Sequence, residues 1–277
     1  MKILIYGATG YIGNVLARQL LCYGHQVGNV SRQSSMIPYV DNYLFDDNIN
    51  DVLEEFLPDK IIYMSACFNN LDVSSIVDIN IKKPLEILSS LEANNHIEFI
   101  YIGSYWQFGD ASLKETPIDL YSSSKKAMVS FLDYYRLYTK VICKEIVLFG
   151  TYGESDQRGK LLDYLITMSN KQDKVSLTEG NQELNLSFVD DVCSSIIDVC
   201  FKLEGDRFQI LSDVNSTPRD LVRIIRKHQK IDVDFGAVKY RAVELMKLWT
   251  DPDYQMIHIK DNIENYIKSK LNYVEVS

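Results

Sequence analysis

MKILIYGATGYIG, residues 1–13, places a short apolar run immediately before three glycines spaced three residues apart. The run Lys2–Tyr6 has the length and composition of a buried strand, and a helical pattern follows Gly10. Glycines at such a turn let the backbone approach a pyrophosphate, and the start of the helix offers free N–H donors. We therefore predict a dinucleotide site formed by Gly7, Thr9, Gly10, Tyr11, Ile12 and Gly13.

Beyond this turn, short β-rich runs alternate with longer helical patterns. The predicted strands are Lys2–Tyr6, Gln26–Val30, Tyr43–Phe45, Lys60–Met64, Glu98–Ile102 and Val141–Leu148. The predicted helices are Tyr11–Cys22, Asp51–Phe56, Ile76–Asn94 and Tyr121–Thr139. The strands are apolar throughout, as expected when helices cover both faces of a parallel sheet. The pattern predicts an α/β fold with a Rossmann-type, doubly wound parallel sheet.

The pattern loosens after Gly150, and further helices are expected near Asp190 and after Pro218. Since no low-complexity linker is present, we predict a smaller C-terminal substrate-binding lobe packed on the first domain. The predicted division assigns 1–150 to the dinucleotide-binding domain, to which 184–214 return, and 151–183 and 215–277 to the lobe.

The charge of the chain excludes some classes of partner. The chain has 277 residues, with 29 basic and 38 acidic side chains and a net charge of −9. A general nucleic-acid binder or a protein of anionic membrane surfaces would need the opposite sign. The basic residues that follow Pro218 are interpreted as a solvated helix face: Arg219, Arg223, Arg226 and Lys227.

Targeting and metal-binding patterns are also missing from the sequence. No run approaches the 18 apolar residues of a membrane helix, and the N-terminal apolar run is too short for a signal peptide. The five cysteines lack a C-x-x-C pair and the four histidines are far apart. We therefore expect a cytoplasmic protein without a disulfide framework or a bound metal.

The second predicted strand leads into Ser31 and Arg32. A protein that selects NAD usually carries a carboxylate at this point for the ribose 2′-hydroxyl, and this chain has none. A guanidinium with neighbouring hydroxyls suits a 2′-phosphate instead, because it can bind two phosphate oxygens at once. We infer a preference for NADP(H), with a purely surface role for Arg32 as the alternative.

Three further residues suggest proton chemistry. Tyr121 and Lys125 begin a helical pattern, and their i, i+4 spacing places them on one face. A neighbouring ammonium would lower the phenol pKa from its usual value of about 10 toward neutrality. Ser104 follows a predicted strand, where open α/β sheets bind ligands, and its hydroxyl could hold a carbonyl oxygen. Tyr-x-x-x-Lys alone is a common spacing, so the prediction depends on all three residues.

Together these motifs resemble the extended short-chain dehydrogenases/reductases, which include nucleotide-sugar epimerases, dehydratases and 4-ketoreductases. The resemblance runs from Gly7 to about Ile259, and the segment LSFVDDV at 186–192 is similar to the family's late FVHVDDV segment. The matching motif residues are Gly7, Gly10 and Gly13 of the glycine fingerprint and Ser104, Tyr121 and Lys125 of the catalytic triad.

The resemblance also implies roles that the bare residues leave open. On the cofactor side, it implies that Asp46 or its neighbour Asp47 contacts the adenine. Ser65 and Ala66 would lie beneath the cofactor, and Asn80 would support the active-site backbone. On the substrate side, it implies that Ser104, Tyr105 and Arg241 bind the substrate. Arg241 would bind the diphosphate of a sugar nucleotide.

Within this family, the segment FGAVKYRAVELM at 235–246 is most similar to NDP-4-keto-6-deoxyhexose 4-reductases such as CDP-paratose and CDP-abequose synthases. Two departures from the family pattern bear on the reaction. Gly150 stands where the family often has an asparagine, so one substrate contact is absent or replaced. Ser104 is followed by Tyr105 and Trp106 instead of an acid pair, which argues against 4,6-dehydration because elimination needs extra acid and base groups.

The resemblance thus implies NADPH-dependent reduction of the C4 ketone of a CDP- or dTDP-linked 4-keto-6-deoxyhexose, in the synthesis of deoxysugars for O-antigen-type glycans. One alternative is an NAD-retaining nucleotide-sugar 4-epimerase, although epimerases usually carry an acid where Arg32 stands. Another is a non-catalytic NADP-binding regulator, although such proteins tend to lose the tyrosine or the lysine. A homodimer is also expected, with helices 76–94 and 121–139 pairing across a two-fold axis.

Overall fold

The computed structural model of the protein describes residues 1–111 and 116–271. The strands are Lys2–Tyr6 (β1), Gln26–Ser31 (β2), Val40–Leu44 (β3), Lys60–Tyr63 (β4), Glu98–Ser104 (β5), Cys143–Leu148 (β6), Gly150–Tyr152 (β7), Val175–Leu177 (β8), Leu184–Phe188 (β9), Arg207–Ser212 (β10), Asn215–Ser216 (β11), Val233–Phe235 (β12) and Gln255–Ile259 (β13). The helices are Tyr11–Cys22 (α1), Ile49–Phe56 (α2), Val73–Val77 (α3), Lys83–Leu91 (α4), Leu120–Tyr138 (α5), Leu161–Lys171 (α6), Val189–Phe201 (α7), Pro218–Arg226 (α8) and Ile263–Lys270 (α9).

The main sheet confirms the predicted doubly wound fold. Its strands lie in the order β3-β2-β1-β4-β5-β6-β10-β13, and every neighbouring pair is parallel. The order reverses direction between β1 and β4, and ligands of open α/β sheets bind outside the carboxyl ends of the strands at such a point. The glycine turn lies at this position because it follows β1 directly.

Alternate residues of each central strand face opposite helix layers. On one face Ile3 and Ile5 of β1 pack in a cluster with residues of α1 and α7. On the other face Leu4 and Tyr6 pack with residues of α2, α4 and α5. Each fully buried side chain of this kind contributes about 1.5–3 kcal/mol relative to an exposed one. This burial stabilises the sheet at the carboxyl ends of its strands, where the functional residues lie.

The predicted helix Ile76–Asn94 is not a uniform α-helix. It begins earlier as α3, passes through a π-helical turn at Asp78–Lys82, and continues as α4. The physical reason is Pro84, which lacks the N–H that an α-helix would donate to the carbonyl of Asn80. The π-turn holds Asn80 fully buried, facing the active-site side of α5.

The second half of the chain departs from the predicted division at two places. β9 pairs with β7 and β11 in a separate three-stranded sheet, although 184–214 were expected to return to the first domain. β13, within the range expected for the lobe, joins the edge of the main sheet, where the apolar side chains of Ile257 and Ile259 pack on the α1–α7 layer. The lobe has its own core, which includes Tyr152, Leu165, Leu221 and Ile267.

Within the two described ranges, no helix is long and apolar enough to cross a membrane. The basic side chains of α8 and of Lys227 after it are exposed, as predicted from the sequence.

Candidate active site

The turn between β1 and α1 is shaped by the absence of side chains. Gly7 has φ of +102°, a backbone region that residues with a Cβ rarely adopt. A Cβ on Gly13 would lie 2.1 Å from the carbonyl oxygen of Gly7, so only glycine lets α1 approach the end of β1 this closely. The N-cap of α1 is Gly10, and no side chain caps the first turn. The first amides of α1 are therefore free to bind an anion.

A cleft of about 520 Å³ opens above this turn. The predicted cofactor residues that line it are Gly7, Thr9, Gly10, Ser31, Arg32, Ser65 and Ala66. Tyr11, Ile12 and Gly13 form the first turn of α1 behind it. Asp46 is exposed and follows Phe45, which lines the cleft. An uncapped helix start beside a turn without side chains fits the pyrophosphate of a nicotinamide dinucleotide.

The end of β2 gives the cleft its charge. Arg32 is exposed on the lining, and no carboxylate lies among the described residues that line the cleft. The Ser31 hydroxyl is buried; it donates to the carbonyl of Gln33 and accepts from Asn29. The Ser31 hydroxyl therefore already donates its hydrogen bond within the loop. Arg32 is the remaining group at this position that could bind a phosphate.

Asn80 ties the backbone beside the cleft to helix α5. Its side-chain oxygen accepts from the N–H of Cys67 at 2.8 Å, and its amide nitrogen donates to the Cys67 carbonyl at 3.0 Å. The same nitrogen donates to the Ser124 hydroxyl at 2.9 Å. Asn80 therefore holds the segment that follows Ala66 against the helix that carries Tyr121 and Lys125.

Ser104 and Tyr121 are brought together. Ser104 is the last residue of β5, and Tyr121 lies in the first turn of α5, which is capped by Asp119. The two side chains are joined by a hydrogen bond, and Phe68 of the cleft lining packs on the Tyr121 ring with centroids 4.8 Å apart. The phenol of Tyr121 is therefore placed beside the cofactor cleft with a hydroxyl partner.

Lys125 does not act on Tyr121 as the spacing predicts. Its ammonium is buried, donates to the carbonyl of Ile102 at 2.9 Å, and lies 4.5 Å above the ring of Tyr101. Burial lowers the pKa of Lys125 to about 7. Burial also raises the pKa of the Tyr121 phenol, while the Ser104 hydrogen bond lowers it. The expected depression of the Tyr121 pKa is therefore wrong for this arrangement, because the site removes both groups from water.

The predicted substrate residues meet at the turn after β5. Tyr105 stacks on Phe149 with ring centroids 5.0 Å apart. The guanidinium of Arg241 lies 5.7 Å from the centroid of the neighbouring Trp106 ring and pairs with Glu244 at 2.8 Å. Arg241 comes from the second half of the chain, so the fold brings a distant cation to the turn that follows Ser104.

Gly150, the departure from the family pattern, has a packing reason. A Cβ at this position would lie 2.7 Å from the Leu186 side chain and 2.8 Å from the carbonyl oxygen of Asn185. The close pairing of β7 with β9 therefore excludes the asparagine side chain seen elsewhere in the family.

Sequence reasoning missed two groups near the site. The guanidinium of Arg158 lies 4.3 Å above the Tyr11 ring and donates to Thr151. Glu145 is fully buried in β6, where its carboxylate accepts from Gln107. A glutamate inside the apolar strand Cys143–Leu148 was the signal that could have revealed the second group.

No cluster of three or more His, Cys, Asp or Glu side chains that could hold a metal ion occurs within residues 1–111 and 116–271.

Comparisons with known proteins show the family to which the chain belongs. Residues 3–210 match the model of the NAD dependent epimerase/dehydratase family. CDP-abequose synthase of Yersinia pseudotuberculosis is 29% identical over 98% of this chain and 99% of its own length. UDP-glucose 4-epimerase of Corynebacterium glutamicum is 22% identical over 69% of this chain and 63% of its own length.

Solved structures show the same fold. UDP-glucuronic acid 4-epimerase from Bacillus cereus, in complex with UDP-glucuronic acid and NAD, has a TM-score of 0.82 at 16% identity over 98% of each chain. UDP-glucose 4-epimerase of Thermus thermophilus with NAD has a TM-score of 0.77 at 17% identity over 91% of each chain. With the family match spanning residues 3–210 and the glycine turn and Ser104–Tyr121 pair in place, the chain belongs to the NAD dependent epimerase/dehydratase family, the extended short-chain dehydrogenases/reductases.

Proposed function

We propose that this protein reduces the C4 ketone of a nucleotide-activated 4-keto-6-deoxyhexose with NADPH. The observation that carries the proposal is the Tyr121 phenol, held by Ser104 beside the cofactor cleft in surroundings that raise its pKa. The phenol is protonated at neutral pH, and the protonated form is the one that a ketone reduction consumes. The CDP-abequose synthase relatives support the substrate class, because one of them aligns over nearly the whole chain.

The chain's own residues supply the rest of the chemistry. A nicotinamide dinucleotide supplies the hydride when bound. Tyr121 donates its proton to the oxygen that becomes the C4 hydroxyl. Ser104 donates a hydrogen bond to that oxygen as negative charge develops on it, which stabilises the transition state. Arg241 binds the diphosphate, so that binding energy remote from the ketone orients the sugar. Lys125 holds the nicotinamide ribose.

The preference for NADPH over NADH rests on Arg32. This guanidinium is exposed on the cleft lining at the end of β2, and no described lining residue there carries a carboxylate. A 2′-phosphate would gain a bidentate contact with Arg32, whereas a 2′-hydroxyl would find no acid acceptor at this position.

A 4-epimerase is the second candidate, favoured by the UDP-glucose 4-epimerase relatives at 22% identity. The two reactions differ in stoichiometry. A reductase consumes one NADPH for each sugar converted, whereas an epimerase returns the cofactor unchanged. A non-catalytic NADP-binding role is disfavoured because Ser104 and Tyr121 are assembled and hydrogen-bonded.

The test is NADPH oxidation by the purified protein, followed at 340 nm, with CDP- and dTDP-4-keto-6-deoxyglucose offered separately. We expect stoichiometric oxidation with one of them and none without sugar. Tyr121→Phe should lose turnover by about 10²–10⁴-fold and keep cofactor affinity. Interconversion of a UDP-hexose without net NADPH loss would select the epimerase, and cofactor binding without turnover of any sugar would select the regulator.

We also propose a homodimer that buries one face of α5. Met128 and Leu132 of this helix pack in the core, whereas Phe131, Leu137 and Tyr138 are 38%, 72% and 76% exposed. A second copy of the same helix could cover this apolar row. Light scattering should give twice the monomer mass, and a monomeric mass would contradict the proposal. The expected cytoplasmic location stays a prediction.

A further inference from the structure

A buried acid lies beneath the catalytic residues and has no role in the proposed reaction. Glu145 of β6 is 0% exposed, as is Gln107 of the turn that follows Ser104. The Gln107 amide donates to one carboxylate oxygen of Glu145 at 2.6 Å, and the Tyr254 hydroxyl donates to the other at 2.7 Å. We call Ser104, Gln107, Lys125, Glu145 and Tyr254 the catalytic floor.

The orientation of Gln107 shows which form of Glu145 it binds. The side-chain oxygen of Gln107 accepts the backbone N–H of Ser104 at 3.1 Å. Its NH₂ end must therefore face Glu145 and donate to it, since an amide nitrogen cannot accept a hydrogen bond. With Tyr254 donating to the second oxygen, both carboxylate oxygens act as acceptors. This pattern suits the ionised acid, and a buried charge needs a counter-charge.

Arg136 and Arg207 act on Glu145 by their charge, and a third cation is buried on the same face of the sheet. Glu145 and Tyr101 are register partners on the neighbouring strands β6 and β5, so their side chains leave the sheet side by side. The ammonium of Lys125 lies 4.5 Å above the centroid of the Tyr101 ring. Lys125 and Glu145 therefore lie on the same face of the sheet, where the charge of Glu145 raises the pKa of Lys125, and both side chains are buried.

We propose that Glu145 is a positioning residue for catalysis, which holds Ser104 through Gln107 and increases the positively charged fraction of Lys125. The inference rests on the proposed role of Lys125 in the reaction, but it concerns the charge of Lys125 itself. Burial alone would drive the Lys125 ammonium toward its neutral form, and the charge of Glu145 opposes that effect.

The space around Gly103 supports this assignment. A Cβ on Gly103 would lie 2.8 Å from the side-chain oxygen of Gln107 and 3.0 Å from a carboxylate oxygen of Glu145. The strand residue beside Ser104 must therefore lack a side chain for the Gln107–Glu145 contact to exist.

Other charged groups also act on Glu145. Arg136 of α5 and Arg207 of β10 lower the pKa of Glu145, as do the hydrogen bonds from Tyr254 and Gln107, while its burial raises it. Arg207 also pairs with Asp133. Tyr254 precedes β13 and belongs to the second half of the chain, so the same acid links that half to Ser104.

The decisive measurement is the titration of Lys125 in the full, cofactor-free chain, followed by NMR of ¹³Cε-labelled lysine. The Lys125 signal is assigned by its loss in Lys125→Met. Glu145→Gln should lower the Lys125 titration midpoint by about one pH unit or more, because it removes the counter-charge and keeps the side-chain volume. Tyr254→Phe is the matched control: it removes one hydrogen bond but leaves the charge, and should shift the midpoint by less than half as much.

An unchanged Lys125 midpoint in folded Glu145→Gln would overturn the inference. If that variant fails to fold, the ¹³Cδ shift of Glu145 in the wild-type protein tests the same claim: an ionised carboxylate at pH 7 supports it, and a protonated one overturns it. These readouts need no substrate, so they stand even if the reductase assay fails. In a working assay, Glu145→Gln should lower kcat, move the loss of activity at high pH to lower pH, and leave KM within about twofold.

Discussion

The cofactor cleft and the catalytic floor lie at the same end of one sheet, yet they are built in opposite ways. At the glycine turn, the cleft takes its shape from the contiguous residues 7–13 and from side chains that are missing there. The floor joins residues between 104 and 254 in the chain, and it takes its properties from polar side chains that are present and buried.

This difference predicts how each region responds to substitution. An added side-chain volume in the cleft meets backbone, which cannot move aside. A change of charge or hydrogen bonding in the floor leaves a buried partner unsatisfied, which costs about 1–3 kcal/mol even when the volume is unchanged. The cleft should therefore be sensitive to size and the floor to polarity.

The largest expected effect is on the cleft. Gly13→Ala places a methyl group 2.1 Å from the carbonyl oxygen of Gly7, and the helix must move away from β1 to accept it. We expect the free energy of unfolding in urea to fall by about 3–5 kcal/mol, or the protein not to fold. Gly24→Ala is the control, since Gly24 has φ of +80° but nothing within 4 Å of a Cβ; it should cost about 1 kcal/mol. Equal losses in the two variants would contradict the steric explanation for Gly13.

A substitution that removes volume tests the opposite case. Asn80→Ala leaves the Cys67 N–H and the Ser124 hydroxyl without their buried partner beside the catalytic floor. We expect a loss of about 2–3 kcal/mol in urea denaturation. Asn94 is partly exposed, and its side chain donates to the carbonyl of Ser90 at the end of α4. Asn94→Ala should therefore cost less than about 1 kcal/mol. A result for Asn80→Ala as small as for Asn94→Ala would break the distinction between buried and surface polar groups.

The same contrast explains how much could be predicted from the sequence. The cleft was predictable because its determinants are contiguous: a buried strand, three glycines and a helix place Gly7, Gly10 and Gly13 without knowledge of the rest of the chain. The main sheet followed from the alternation of elements, whereas β9 and β13, which lie far along the chain, were assigned to the wrong parts.

The catalytic floor was less predictable because its contacts are long-range. Helical spacing correctly placed Tyr121 and Lys125 on one helix, but it could not show that Lys125 turns to the Ile102 carbonyl. The Glu145–Gln107–Tyr254 contacts join three separate segments, so no local pattern contains them. Pro84 was the sequence signal for the π-turn at Asn80. The apolar pattern around it is typical of a regular α-helix, so the turn was not predicted.

A smaller effect is expected at the rim of the cleft, where a cation acts on a ligand in contact with solvent. Arg32→Ala should reduce the ratio of NADPH to NADH affinity by about tenfold, or about 1.4 kcal/mol, measured by fluorescence titration of each cofactor. Arg18→Ala is a matched control, because Arg18 is an exposed arginine of α1 that bonds to Asn14 instead of lining the cleft. If both variants leave the ratio unchanged, the preference for NADPH does not come from Arg32.

The smallest effect should come from the charges that are most visible in the sequence. Arg223 of α8 pairs with Asp220 at 2.7 Å, but its side chain is 72% exposed, so water screens the pair and side-chain entropy opposes it. Arg223→Ala should change the free energy of unfolding by less than about 0.5 kcal/mol and leave the KM for the sugar nucleotide unchanged. Lys125 of α5 is also a basic residue, but it is buried against the Tyr101 ring. Its substitution should therefore disturb the contacts of the whole catalytic floor. A rise in KM for Arg223→Ala would show instead that the α8 face binds substrate, and would place part of the site on the surface that the sequence pattern assigned to solvent.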